Sequence, residues 1–145
     1  MKQTATVIAV AATLLLLTSF TGKAKLIAPV RGRISSKFGK RGTGWHNGID
    51  IAVPVGTSIK SPASGEILKI WTSERGGKQM LVLHDNGFIS GYAHLNKWLH
   101  GKGKRVKKGQ VIAESGKTGV LTGAHLHFTW KLDGEYKNPA RYFKF

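Results

Sequence analysis

The chain has 145 residues, with 23 Lys plus Arg against 7 Asp plus Glu, a formal charge of +16, 19 glycines and no cysteine. That length gives room for one modest core, and the absence of Cys excludes a disulfide framework and any thiolate metal site, leaving His and carboxylate as the available ligands. The positive field draws polyanions. The aromatic interleaving of a single-strand nucleic-acid binder is missing, so no specific nucleic-acid partner is expected.

Residues 1–24 have the layout of a secretory signal: Lys2, an apolar run from Val7 to Phe20, then small residues at Gly22 and Ala24. The run is shorter than the roughly 20 residues of a spanning helix, which favours cleavage after Ala24. An uncleaved anchor tethering the protein to the membrane is the alternative. Either way the protein is expected outside the cytoplasm, in the periplasm, the cell envelope or the medium. The residues from Lys25 to Phe145 are read as a single domain.

From Lys25 to Gly44, Pro29, Gly32, Gly39 and Gly42 permit only short extended pieces. Strands are then predicted over 48–53, 57–60, 65–72, 78–84, 88–95, 110–114 and 125–132, each β-branched or alternating and bounded by turn residues. Asp85-Asn86-Gly87 predicts a hairpin with positive φ at Asn-Gly, and Asp133-Gly134 predicts a second. At most one helical turn is expected, around Asn96 to His100. The basic run Lys102 to Lys108 reads as a solvated loop or edge. The fold class is therefore all-β, with about seven or eight antiparallel strands in a rolled or layered sheet and little helix apart from the signal segment.

Three places carry chemistry. His125 and His127 flank Leu126 on a predicted strand, where residues two apart share a face, so both imidazoles would point into one space. An accidental exposed pair would look the same. His46 and Asp50 are four apart, and a carboxylate among Ile49, Ile51 and Val53 needs a partner or a metal, unless it lies on an edge strand. His94 ends the strand Phe88 to Leu95. Two histidines and one carboxylate form a common open zinc set, with a fourth position for water. His84 reads as structural and His100 as surface. The segment from Gly116 to Gly123 lacks the spacing of a nucleotide loop, and its glycines suit a tight turn delivering His125.

The segments WHNGID (45–50), GYAHL (91–95) and TGAHLHF (122–128), in that order, resemble the lysostaphin-type, LytM-like zinc metallopeptidases that cut peptidoglycan cross-links. The likeness extends from about Ile27 to Phe143. It includes SGKTGVLTG before His125 and the ending NPARYF. Carried over by position, it implies one zinc ion on His46, Asp50 and His127, with His94 and His125 as catalytic histidines that do not ligate. All five positions are filled, which favours an active endopeptidase acting on peptide stems and cross-links. The alternatives are a LytM-like activator of another hydrolase, and a basic polyanion-binding or virion structural protein with structural zinc. A phage particle is one further route by which such an enzyme would reach the wall.

Overall fold

The computed structural model describes residues 25–145; the expected signal segment lies outside the described residues. The strands are β1 (Arg33–Ser36), β2 (Gly39–Arg41), β3 (Gly44–His46), β4 (Ile49–Ala52), β5 (Ser58–Lys60), β6 (Gly65–Ser73), β7 (Gly77–His84), β8 (Ile89–Trp98), β9 (Arg105–Val106), β10 (Val111–Ser115), β11 (Leu126–Leu132) and β12 (Glu135–Lys137). Every pairing is antiparallel. The main sheet runs β1-β4-β11-β8-β7-β6-β9, with β12 on β11 and with β10 joining β5 to β8, while β2 and β3 form a separate hairpin.

Alternation builds the core. In β11, Leu126, Phe128 and Trp130 are fully buried, while His127, Thr129 and Lys131 alternate with them on the opposite face. Ile49 and Ile51 of β4, Ile67 of β6, Met80 and Val82 of β7, Tyr92 and Leu95 of β8 and Ile112 of β10 complete the cluster. Full burial of each such aliphatic or aromatic side chain stabilises by roughly 1.5–3 kcal/mol. The C-terminal segment closes it. Asn138 caps a short 3-10 turn at Pro139–Arg141, which places Phe143 edge-on against Trp130 and Phe128 at centroid distances of 5.0 and 5.5 Å.

β8 is the strand on which the sheet rolls. Its first half, Ile89 to Ala93, pairs with β11; its second half, Leu95 to Trp98, pairs with β10 instead. The exchange falls at His94, where β8 also carries an extra residue against β7, because Lys78 pairs with Leu95 and Met80 with Tyr92. Two residues then face the single Gln79, a β-bulge that turns the strand.

The all-β antiparallel class agrees with the sequence reading, and three local expectations change. No helical turn forms at Asn96 to His100: β8 continues through Trp98, whose indole N–H donates to the Gln79 carbonyl at 3.0 Å. The turn at Asp85-Asn86-Gly87 places only Gly87 at positive φ (87°), with Gly87 N–H bonded to the His84 carbonyl; it is a three-residue loop, not a two-residue Asn-Gly turn. Asp133-Gly134 does form a two-residue turn, with φ of 49° and 77° and Leu132 opposite Glu135. Within the basic run, Arg105 and Val106 add an edge strand to β6, and Arg105 grips Asp85 through two bonds of 2.9 and 2.8 Å. No helix among the described residues is long and apolar enough to cross a membrane.

Candidate functional site

β4 and β11 bring Asp50 and His127 face to face in register, and Ala93 of β8 lies on the other side of His127. Asp50 thus sits on an interior strand, between β1 and β11, not on an edge. His46 arrives from another element. It ends β3 of the small hairpin, and Asn47 and Gly48 then lead the chain into β4. Gly48 is required by space: a Cβ there would lie 2.3 Å from the Phe128 carbonyl oxygen.

Among the described residues, His46, Asp50 and His127 form a cluster whose ligand atoms could hold a metal ion. His46 Nε2 lies 3.3 Å from Asp50 Oδ1 and 3.2 Å from His127 Nδ1, and His127 Nδ1 lies 2.8 Å from Asp50 Oδ1. Tetrahedral ligands about 2.0–2.1 Å from zinc would be separated by roughly 3.3 Å. The three atoms therefore fit one face of a tetrahedron around a single ion. His46 supports this fit, because its Nδ1 is 2.8 Å from the Lys37 carbonyl, which can only accept; the proton sits on Nδ1 and the Nε2 lone pair faces the cluster. The other Asp50 oxygen, Oδ2, faces Arg41 Nη2 at 3.4 Å.

Burial raises the Asp50 carboxyl pKa, but the hydrogen bond and charge of His127, with the charges of His46 and His125, outweigh it and hold the group below the usual carboxylate range. It stays ionised at neutral pH.

His125 and His94 lie beside this triangle. The His125 Nδ1 donates to the Gly123 carbonyl at 2.8 Å, leaving Nε2 toward Asp50 Oδ1 at 3.7 Å. His125 precedes β11, yet it still meets the same space as His127. The His94 ring is 4.9 Å from that of His125, and its Nδ1 donates to the Thr118 carbonyl at 2.7 Å. His94 is one of two described non-glycine residues with positive φ, at 63°. Such a conformation costs on the order of 1–3 kcal/mol, and the bulge of β8 sustains it. Burial lowers the His94 pKa, with a partial opposing effect from the Thr118 carbonyl, so its imidazole is neutral at pH 7.

All five residues line one groove of about 820 Å³, flanked by Arg41, Trp45, Arg75, Val120 and Thr122. His84 does not join them. It is buried at the end of β7, with Nδ1 donating to the Ala63 carbonyl at 3.0 Å and Nε2 accepting from Ser90 Oγ at 2.7 Å. His100 is half-buried beside Gln110, away from the groove. Sequence reasoning missed Arg41 and Thr118. Arg41 stands outside the three motifs, and Thr118 was read only as part of a loop serving His125.

The model of peptidase family M23 matches residues 44–139. The chain is 39% identical over 111 residues to the peptidoglycan DD-endopeptidase ShyC of Vibrio cholerae, covering 77% of this chain and 24% of that protein. The solved structure of LytU is similar with a TM-score of 0.70 and 42% identity, over 76% of this chain and 83% of that one. A zinc-containing peptidase from Vibrio cholerae gives a TM-score of 0.74 at 32% identity, over 79% and 39% of the two chains. The chain spans about a quarter of the length of the curated relatives it matches.

Proposed function

The chain belongs to peptidase family M23, and we propose that it is a zinc-dependent endopeptidase that hydrolyses peptide cross-links of bacterial peptidoglycan. One observation carries the reading: two imidazole nitrogens and a carboxylate oxygen lie within 2.8–3.3 Å of one another, with the rings of His94 and His125 beside them in the same groove. Three protein ligands suit an open catalytic site better than structural zinc, which usually has four. This favours the enzyme over a structural role, and the filled His94 and His125 positions favour it over a non-catalytic activator.

His46, Asp50 and His127 would hold the ion, which when bound would polarise the scissile carbonyl and lower the pKa of water to about 7. His94 and His125 each keep a proton on Nδ1 through a backbone carbonyl, so each offers an Nε2 lone pair. One of them accepts the proton of the attacking water as the C–O bond forms. The other acts in its form protonated on Nε2 as well, in which it steadies the oxyanion or gives that proton to the departing amine as the C–N bond breaks. Trp45, 63% exposed at the rim, gives the substrate an apolar surface. Residues 1–24 would direct export of a single domain, residues 25–145, and the positive surface would hold it on an anionic wall.

The test is digestion of purified sacculi of known cross-link type. Release of uncross-linked muropeptides, abolished by His127→Ala, supports the reading and identifies the bond. Bound zinc without cleavage of any cross-link type would move the assignment to the activator.

A further inference from the structure

We propose that Thr118 is a positioning residue for His94: its hydroxyl ties the loop before β11 to β7 and β8, and its carbonyl thereby fixes the proton of His94 on Nδ1. The inference rests on the reading of His94 as a proton-transfer group of the groove.

The geometry converges on this one residue. Thr118 Oγ1 donates to the Leu95 carbonyl at 2.6 Å and accepts from the Lys78 N–H at 3.1 Å. Lys78 and Leu95 are the pair that closes the β-bulge containing His94. The Thr118 carbonyl then takes the His94 Nδ1 proton at 2.7 Å. Thr118 is not among the residues lining the groove, and His94 is the groove residue to which it is directly hydrogen-bonded.

The surroundings leave the loop little freedom while the hydroxyl is in place. A Cβ on Gly77 would lie 2.3 Å from Thr118 Oγ1, and one on Gly119 would lie 2.5 Å from the Arg75 carbonyl oxygen. Val120 N–H bonds that same carbonyl at 2.9 Å, and His94 N–H bonds the Gly76 carbonyl at 2.8 Å. The β6–β7 turn, the bulge and the loop therefore meet at Thr118. A neutral imidazole carries one proton, and the hydrogen bond made by one nitrogen decides the state of the other. If the Thr118 carbonyl moves away, the proton is free to occupy Nε2, and the lone pair in the groove is lost.

Thr118→Val removes the hydroxyl at nearly constant volume, and Thr118→Ser restores it. A positioned base contributes about 10²–10⁴-fold, and displacing its proton to Nε2 in part of the molecules would forfeit some of that, about 10–100-fold. The expected result for Thr118→Val is a fall in kcat of that size on a cross-linked peptide, with KM changed less than about twofold, zinc content unchanged, and recovery in Thr118→Ser. Imidazole 15N spectra should show His94 protonated on Nδ1 in the parent and partly on Nε2 in Thr118→Val. Retention of kcat and tautomer in Thr118→Val would overturn the proposal, as would equal loss in Thr118→Ser, which marks a packing role. If the parent cleaves no peptide, the proposed function fails, and the His94 spectra still decide the role of Thr118.

Discussion

Asp50 Oδ1 and His127 Nδ1 meet at 2.8 Å across a strand pair in which the two residues are direct partners. The sheet itself therefore sets this edge of the candidate ligand triangle, and the second edge depends on how His46 is carried in from the β2–β3 hairpin. Gly48 makes that approach close enough.

Gly48→Ala would place a Cβ 2.3 Å from the Phe128 carbonyl oxygen, so β4 or β11 must shift. Overpacking of this kind costs about 1–3 kcal/mol. The expected outcome is a lower urea midpoint together with weaker zinc binding, since the shift separates Asp50 from His127. Unchanged stability would show that the strands yield at no cost.

His46→Ala and His127→Ala each remove one vertex of the donor triangle. Each variant should purify with little zinc and little activity while keeping the β-rich circular dichroism of the parent. Full zinc occupancy in His127→Ala would remove it from the ligand set.

His94→Ala and His125→Ala should keep zinc and lose turnover by roughly 10²–10⁴-fold, the range for a positioned acid or base. Loss of zinc from either variant would make that histidine a ligand. A combined substitution should lose less than the sum of the single effects if the two histidines serve one proton path.

The sequence pointed to the candidate ligands more completely than to what brings them together. Strand alternation separated Leu126 and Phe128 from His127, and the apolar setting of Asp50 marked it as a carboxylate needing a partner; these are properties of neighbours along the chain. The hairpin that delivers His46 was not foreseen, because strands of three residues amid glycines leave no periodic pattern. Nor was the bulge at His94, whose strain follows from pairings with β7, β10 and β11 far away in sequence. Thr118 belongs to the same class: its three partners lie in β7 and β8, at separations of 40, 23 and 24 residues.

His84 predicts a pH dependence. Burial lowers its pKa below the ordinary 6.5, against the backbone carbonyls of Ala63 and Ser64 and the charge of Asp85. The unfolded chain therefore binds the proton more readily, and stability rises with pH through this window. The contribution is complete above pH 6.5 and is lost as pH falls from there through the folded pKa. Urea unfolding between pH 7.5 and 5 should show a steeper loss in the parent than in His84→Gln. Equal slopes would mean that His84 titrates alike in both states.

We propose that one ion held by His46, Asp50 and His127 enables peptide hydrolysis. Removing metal with a chelator and titrating zinc back into the parent and His127→Ala, while following both bound zinc and cross-link cleavage, tests it most directly. Parent activity should return in proportion to zinc and saturate at one ion per chain, with none returning in His127→Ala. Cleavage that persists in the metal-free parent, or that returns equally in His127→Ala, would contradict it.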